Sequence, residues 1–478
     1  KLTAIQGPKP EDNPWYKIAQ SAARVAMMVR NVSITYKNTY AMTLPGFQPE
    51  IGDMLGQTRG SSGFAPGLDF AFGMTGGDYI DKAIRNNWLI QNNSNIEPAT
   101  TNAQEDLQIR MTLEPLRDLK IDLNAGRTRN DSRSIQFMYD GMPEVQSGNF
   151  NMTVITIGSS FERHNPSNGY SSSSFNRFLG NLDVIQKRVE QLYQGVSLPG
   201  MEHYPQTFNS ISKYNSSVMI PAFLAAYTGR SSLDIFPGIL SMMPNWRITY
   251  SGLSKLEFFK KYFKSVTLTH GYRSTYRVGS YSTFQSFHSY MGDLGFVDDV
   301  QTGIPVPSSI YDVSAVSINE QFSPLFGVDV TFKNGITTKV EYKTTRILNL
   351  SLAANQVVES GTKDFVVGMG YKIMGLELFP GRNTKNSKNK ISNDLALRAD
   401  VSFRNQFALC RDIQQVTTQA TSGNKALKIS FSADYTLSRL LSVSLYYDRQ
   451  KNTPLVSASS YPVTSADFGM RLKFSLTR

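Results

Sequence analysis

Cysteine is nearly absent. Cys410 is the single one among 478 residues, so the chain has no internal disulfide. A lone thiol reads as a small core hydrophobe before it reads as a reactive group. Also missing is any run of roughly eighteen apolar residues, which excludes a transmembrane helix; mean hydropathy is −0.28. Tryptophan is scarce, with 3 residues, although 28 Phe and 23 Tyr bring aromatics to 11%. Histidine is scarcer still for catalysis. His164, His203, His270 and His288 stand at no metal-ligand spacing from one another or from the cysteine. There is no phosphate-cradling Gly-Lys-Ser/Thr loop and no Gly-x-Ser-x-Gly elbow. The Ser171 to Ser174 run has no partner nearby in sequence to make it nucleophilic. No enzyme, cofactor or metal is expected. Net charge is +11, from 49 Lys+Arg against 38 Asp+Glu, but the basic residues are scattered singly. A nucleic-acid patch needs them clustered with aromatics, so nucleic acid is not an expected partner; lipid phosphates and acidic cargo remain compatible.

What the chain has instead is alternation. Leu107, Ile109, Met111 and Leu113 alternate with Gln108, Arg110, Thr112 and Glu114. After a break at Pro115 to Asp118, Leu119, Ile121, Leu123 and Ala125 alternate with Lys120, Asp122, Asn124 and Gly126. Side chains on a strand point to opposite faces with period two, so each run has a greasy face and a wet one. The pattern recurs near the end, where Phe468, Met470, Leu472 and Phe474 alternate with Gly469, Arg471 and Lys473. About fourteen such runs are legible, several near the roughly ten residues that a tilted strand needs to cross a bilayer. The expected fold is all-β: a transmembrane antiparallel β-barrel segment with a helical insertion, placed in the outer membrane of a Gram-negative bacterium.

Three regions follow. Residues 1–164 read as barrel strands with long loops, the first strand within Arg24 to Leu44 and a short helix within Asp78 to Leu89. Strands are expected near Ile135 to Tyr139 and from Asn149 to Phe161. Residues 165–244 break the pattern. Phe175, Phe178, Leu182, Ile185, Val189 and Leu192 fall at helical spacing, and a second helix is read at Ser217 to Tyr227, with Pro221 as an alternative start. This insertion is a cap, a lumen plug or a docking element. Residues 245–478 return to strands up to the C-terminal closing strand. Short turns are expected at Glu114 to Asp118, Ser323 to Leu325 and Leu437 to Leu440, while Asn334-Gly335 reads as either a turn or a strand interior. Gly381 to Lys390 reads as a basic, solvated loop. The chain opens at Lys1 without a signal peptide, so either a signal was removed or the chain is one piece of a longer polypeptide; the second is expected, because the first forty residues already run into strand-like sequence.

Charges that oppose apolar neighbours should face water, because in lipid they are costly. Arg110, Lys120, Asp122, Arg247, Arg273, Arg398, Asp400, Arg404, Lys428, Asp434, Arg471 and Lys473 are the expected lumen-facing set, with Asp329 and Lys333 beside them. Both signs occur, which suits an aqueous passage that must not trap what it carries. Phe468, Gly469, Met470, Leu472 and Phe474 read as a barrel-assembly signal.

Several stretches carry a family resemblance: Asn13-Pro-Trp-Tyr16, Val32-Ser-Ile-Thr-Tyr36, Leu44-Pro-Gly-Phe47, Thr112-Leu-Glu-Pro-Leu-Arg-Asp118, Pro244-Asn-Trp-Arg-Ile-Thr-Tyr250, Tyr262-Phe-Lys-Ser-Val-Thr-Leu268 with His270-Gly-Tyr-Arg-Ser-Thr-Tyr276, and Phe322-Ser-Pro-Leu325. With these the chain resembles the C-terminal part of the SprA/Sov family, the outer-membrane translocons of the Bacteroidota type IX secretion system. The resemblance implies a very large single-chain barrel that passes folded cargo. It implies as partners the rest of the same translocon chain, a PorV-type outer-membrane barrel, a periplasmic plug protein, secreted cargo with a C-terminal signal domain, and outer-membrane lipid. It brings no catalytic residues. The competing expectations are a porin or TonB-dependent transporter-like barrel for small solutes, a surface β-sandwich adhesin, and an outer-membrane enzyme.

Overall fold

The computed structural model describes residue 20 and residues 27–474, apart from 51, 61–62, 76–77, 91–96, 140–141, 143, 163, 197, 200–209, 232, 300, 377–393, 438–440 and 457–460. The fold is all-β, with one barrel-like antiparallel sheet of 14 strands. In chain order these are β1 (Val29–Thr43), β2 (Ala99–Leu116), β3 (Leu119–Ile135), β4 (Glu144–Thr153), β5 (Asn245–Tyr250), β6 (Phe263–Thr283) and β7 (Tyr311–Val313). Then come β8 (Ala315–Phe332), β9 (Ile336–Ser351), β10 (Gln356–Ile373), β11 (Leu395–Asp412), β12 (Thr418–Thr436), β13 (Leu441–Pro454) and β14 (Val463–Phe474). Neighbours in sequence are mostly neighbours in space. Among the described residues β1 pairs only with β2 and β14 only with β13, so both outer strands carry an open edge.

One lane of the sheet is built from two strands. β4 pairs with the second half of β3 and with Thr275 to Ser282 of β6. β5 pairs with Leu119 to Asn124 of β3 and with Leu268 to Tyr272 of β6. They run the same way, one after the other. The chain therefore leaves the sheet midway down a lane, makes the insertion, and resumes the same lane. The Met243 N–H donates to the Thr153 carbonyl (3.1 Å) where the two ends meet, and the Ser274 N–H donates to Asn245 Oδ1 (2.7 Å) at the break.

The insertion has its own core. Helix α1 (Ser173–Leu192) buries Phe175, Phe178, Leu182, Ile185 and Val189, the stripe that periodicity had picked out. Helix α2 (Ser216–Thr228) is buried on nearly every side, and Phe223 meets Phe178 edge-on at 6.0 Å. These residues form one cluster with Phe150, Met152, Tyr276, Val278, Val316, Ile318, Leu348 and Leu350 of the sheet. A second, smaller core joins Tyr79, Ile80, Ala83, Trp88 and Leu89 of the long connection after β1 to Ala99 and Phe137.

Several expectations change. β3 runs unbroken to Ile135, and the chain turns at Phe137, so there is no separate strand over Ile135 to Tyr139. β4 stops at Thr153, short of Phe161, because the chain leaves the lane there and β5 takes up the rest of it. Helix α2 starts at Ser216 behind its cap Asn215, and Pro221 lies inside it. Ser323 to Leu325 is not a turn. It is a bulge in β8, where the register slips between Phe322 and Phe326 and Pro324 has no N–H to give the ladder. The hairpin turn is Asn334-Gly335, with Gly335 at φ 87. Arg24, Asn13 to Tyr16 and the basic loop Gly381 to Lys390 lie outside the described residues, as do His203 and most of the Leu437 to Leu440 turn.

Candidate functional site

Residues paired across a ladder share a face, so the register carries face identity from strand to strand. Arg110 lies opposite Asn124, and Arg247 lies between Asp122 and Gly271. Lys120 is opposite Thr249, and Arg273 is opposite Gln321. Arg398 sits between Gly370 and Ser432, Asp400 between Gly368 and Ser430, and Arg404 between Asp364 and Ala426. Lys428 and Asp434 continue the same face to Gln450 and Ser444; Arg471 and Lys473 lie opposite Ser444 and Ser442. All twelve residues share one face. Asp329 joins them opposite Lys339, whereas Lys333 belongs to the hairpin turn.

Pairing on this face is loose. Lys120 and Asp122 are 2.9 Å apart, Arg404 reaches Asp364 at 2.8 and 3.2 Å, and Lys428 stands 3.8 Å from Asp448. Lys339 and Lys343 each hold Glu341 at 2.8 Å. The lysines and arginines here are largely exposed, so each pair contributes no more than about 1 kcal/mol. Arg110, Arg247, Arg273 and Asp122 line a depression of about 540 Å³. Glu341, Lys339, Lys343, Asp364 and Asp448 were missed in the sequence, although each alternates with its neighbours as the chosen residues do. Cys410 also belongs to this face. It is half-buried, with its Sγ 3.1 Å from Gln356 Oε1, rather than a core hydrophobe.

The opposite face is apolar and open. Phe365, Met369, Val401, Phe403 and Phe431 are all 40% exposed or more, and the ladder sets them side by side across β10, β11 and β12. Phe468, Met470, Leu472 and Phe474 extend this face onto β14 and are more exposed still. Gly469 lies on the charged face beneath Tyr446, and a Cβ there would come 2.5 Å from Tyr446 Oη, so a larger residue would have to displace that ring. At the end with the turns Arg117-Asp118 and Asn334-Gly335, the short helix α3 (Glu257–Tyr262) carries a chain of rings onto the apolar face. Phe258 lies 5.9 Å from Tyr262, Phe259 5.8 Å from Phe263, and Phe263 4.9 Å from Phe332.

The insertion docks on the apolar face, at the far end of the strands from those turns. Among the described residues the insertion packs on this face and not among the charged residues. Beneath it lie charges in phase with apolar neighbours. Glu320 meets Arg346 at 2.9 Å and accepts from Thr156, Ser160 and Tyr272. Glu359 holds Arg411 at 2.9 Å and His164 at 3.1 Å, and Arg411 donates to the Tyr170 carbonyl at 2.7 Å. All four charged residues are almost fully buried. Removing one partner of such a pair costs about 3–5 kcal/mol, because the other is left uncompensated. Sequence reading missed them, yet the signal was there: a charge at every second position of an apolar run, as in Ile318, Glu320, Phe322.

Glu162 organises the start of α1. Its carboxylate accepts from the Ser172, Ser173 and Ser174 hydroxyls at 2.5–2.6 Å and from the Ser174 N–H at 2.8 Å. Burial alone would raise its pKa, but these donors together hold it below the ordinary carboxylate range. The serine run does have a partner, in the role of helix-capping donors. At the other end of α1, Tyr193 donates to Gly295 and Ser308 carbonyls, and burial pushes its pKa up to about 12. His270 packs on the apolar face, its Nδ1 2.6 Å from the Leu325 carbonyl. Among the described residues no group of His, Cys, Asp and Glu is placed to hold a metal.

Compared with known proteins, the chain matches no family model and no curated sequence.

Proposed function

We propose that this chain forms part of the wall of a wide outer-membrane barrel that conducts protein, of the type IX secretion kind that its sequence resembles. The observation that carries the reading is the pairing of an exposed apolar face with a solvated face of both signs, held in register across the whole sheet. Soluble monomers rarely expose a contiguous apolar surface beyond a few hundred Å². Phe365 to Ile373 of β10 span roughly 30 Å along the strand at about 3.3 Å per residue, or roughly 21 Å at a tilt near 45°. That is close to the apolar band of an outer-membrane barrel, about 25 Å tall. The rings around α3 then sit where aromatic girdles sit, at one lipid–water boundary.

The open edges of β1 and β14 favour a larger barrel over a small closed one, because unpaired strand edges do not persist in hydrocarbon. The missing strands come from the rest of a longer translocon chain. In this reading Arg110, Lys120, Asp122, Arg247, Arg273 and the rest of the charged set line the passage. They steer cargo through a hydrated lumen without any covalent step. A PorV-type barrel, a periplasmic plug protein and cargo with a C-terminal signal domain are the proposed partners.

The test is the mass and composition of the native detergent-solubilised complex. A much larger polypeptide that contains this sequence, together with a second barrel or a plug, is the expected result. A closed barrel of this chain alone that conducts small ions would move the reading to a porin or a TonB-dependent transporter.

A further inference from the structure

Among the described residues the charges on the apolar face of β8 to β14 lie toward the end where the insertion docks, and with those of β3 they divide into two groups. Under the insertion every cation has a carboxylate: Arg346 has Glu320, Arg411 has Glu359, and Arg129 has Asp131 at 2.8 Å. The His164 ring, 5.0 Å from Phe407, marks how far the insertion reaches along β11. Beyond that reach the same face presents Lys363, Lys425, Arg449 and Lys451. Asn405 separates Lys363 from Lys425 in one ladder row. Lys451 and Arg449 stand opposite Leu427 and Ile429 on the next strand. Adjacent strands are about 4.8 Å apart and diagonal neighbours about 7–8 Å, so the four are close enough to share one multivalent anion or two. None has a carboxylate partner among the described residues. On β11 to β14 that face carries no Asp or Glu at all.

Their height along the strands is also specific. Lys363 is the next residue on its face after Phe365, and Lys425 the next after Leu427, where the exposed apolar stretch ends. Arg449 and Lys451 follow Leu445 and Tyr447 on β13 in the same way. Resting on the membrane reading above, this row lies at the lipid–water boundary opposite the α3 rings. Long basic side chains there extend toward headgroups.

We propose that Lys363, Lys425, Arg449 and Lys451 bind the phosphate groups of a phosphorylated lipid in the leaflet at the insertion end of the barrel. Where the protein supplies carboxylates the cations are neutralised internally; where it does not, the lipid does so. The site is a bilayer-facing counterpart of the ion pairs under the insertion and continues their line across the sheet.

The experiment uses the native complex in neutral detergent, with lipid A as the bis-phosphorylated probe and phosphatidylcholine as the neutral one. Binding is followed by native mass spectrometry over a salt series. Wild-type complex is expected to retain lipid A in preference to phosphatidylcholine, and to lose it as salt rises. Lys363→Gln, Lys425→Gln, Arg449→Gln and Lys451→Gln should each weaken retention, on the order of fivefold per cation removed. Lys187→Gln with Lys213→Gln, on the exposed surface of the insertion, should leave retention unchanged. Equal retention of both lipids by the wild type overturns the proposal without needing a variant to fold. So does a folded quadruple variant that retains lipid A as the wild type does. A complex that stays dispersed without detergent and binds neither lipid would instead overturn the membrane reading itself.

Discussion

At the scale of single residues, the face assignment is a matter of parity. Ile429 stands opposite Val401 on the apolar face, and Ser430 stands opposite Asp400 on the charged face. One position along a strand moves a side chain from one solvent to the other. Ile429→Asp should therefore impair membrane assembly, since a charge on the lipid face of a barrel is destabilising, by about 1–2 kcal/mol for a carboxylate between the midplane and the boundary. Ser430→Asp should assemble almost as the wild type does. Heat-modifiable gel migration of the two variants, side by side, measures this, and equal assembly would show the faces to be misassigned. Alternation made this level readable from sequence: the twelve charges fell on one face because each was chosen for opposing apolar neighbours. What alternation hid were charges in phase with the greasy side. Glu320, Arg346, Glu359 and Arg411 look like errors in a strand until the insertion is laid over them.

At the scale of elements, strands and helices were largely legible, and their joins were not. The stripe of α1 was visible because its period is helical, and β6 because its alternation is long. The lane shared by β4 and β5 could not be read, since nothing local in Asn149 to Thr153 says that Asn245 will continue it. The bulge at Ser323 to Leu325 imitates a turn because proline and serine serve both. The capping of α1 predicts a pH response. Glu162 has its pKa lowered in the folded state from an ordinary 4.5. Its contribution is thus complete above about pH 4.5 and is lost as the pH falls through the folded-state value. Glu162→Gln should lower the opening free energy of the first turns of α1 at pH 7 by about 1 kcal/mol, the usual scale of a helix cap. The same variant should flatten the loss seen in the wild type on acidification. Hydrogen exchange of the α1 amides, corrected for the intrinsic rate at each pH, reads both effects, and an unchanged acid dependence would exclude this carboxylate as its source.

For the whole molecule, the sheet is a meander whose central lane is interrupted by the insertion, bounded by two strands that each carry an open edge among the described residues. Outward-pointing amides of β1 and β14 should exchange rapidly in the detergent-solubilised chain and slowly in the native membrane complex, where a neighbouring strand takes them up. Central strands such as β9 and β10 should be protected in both. Equal protection of the edges in the two states would mean that the chain closes on itself. The insertion adds an order of events. Arg411 joins Tyr170 across 241 residues and faces His164 across 247, whereas strand pairing is mostly between successive segments. Hairpin contacts close short loops, and the latch closes a very long one, so loop entropy and topology place it late. The insertion leaves the sheet at Thr153 but has nowhere to finish docking until β11 has been laid down. Its settled state is a record that assembly has passed that strand, and a wall left incomplete leaves that latch open.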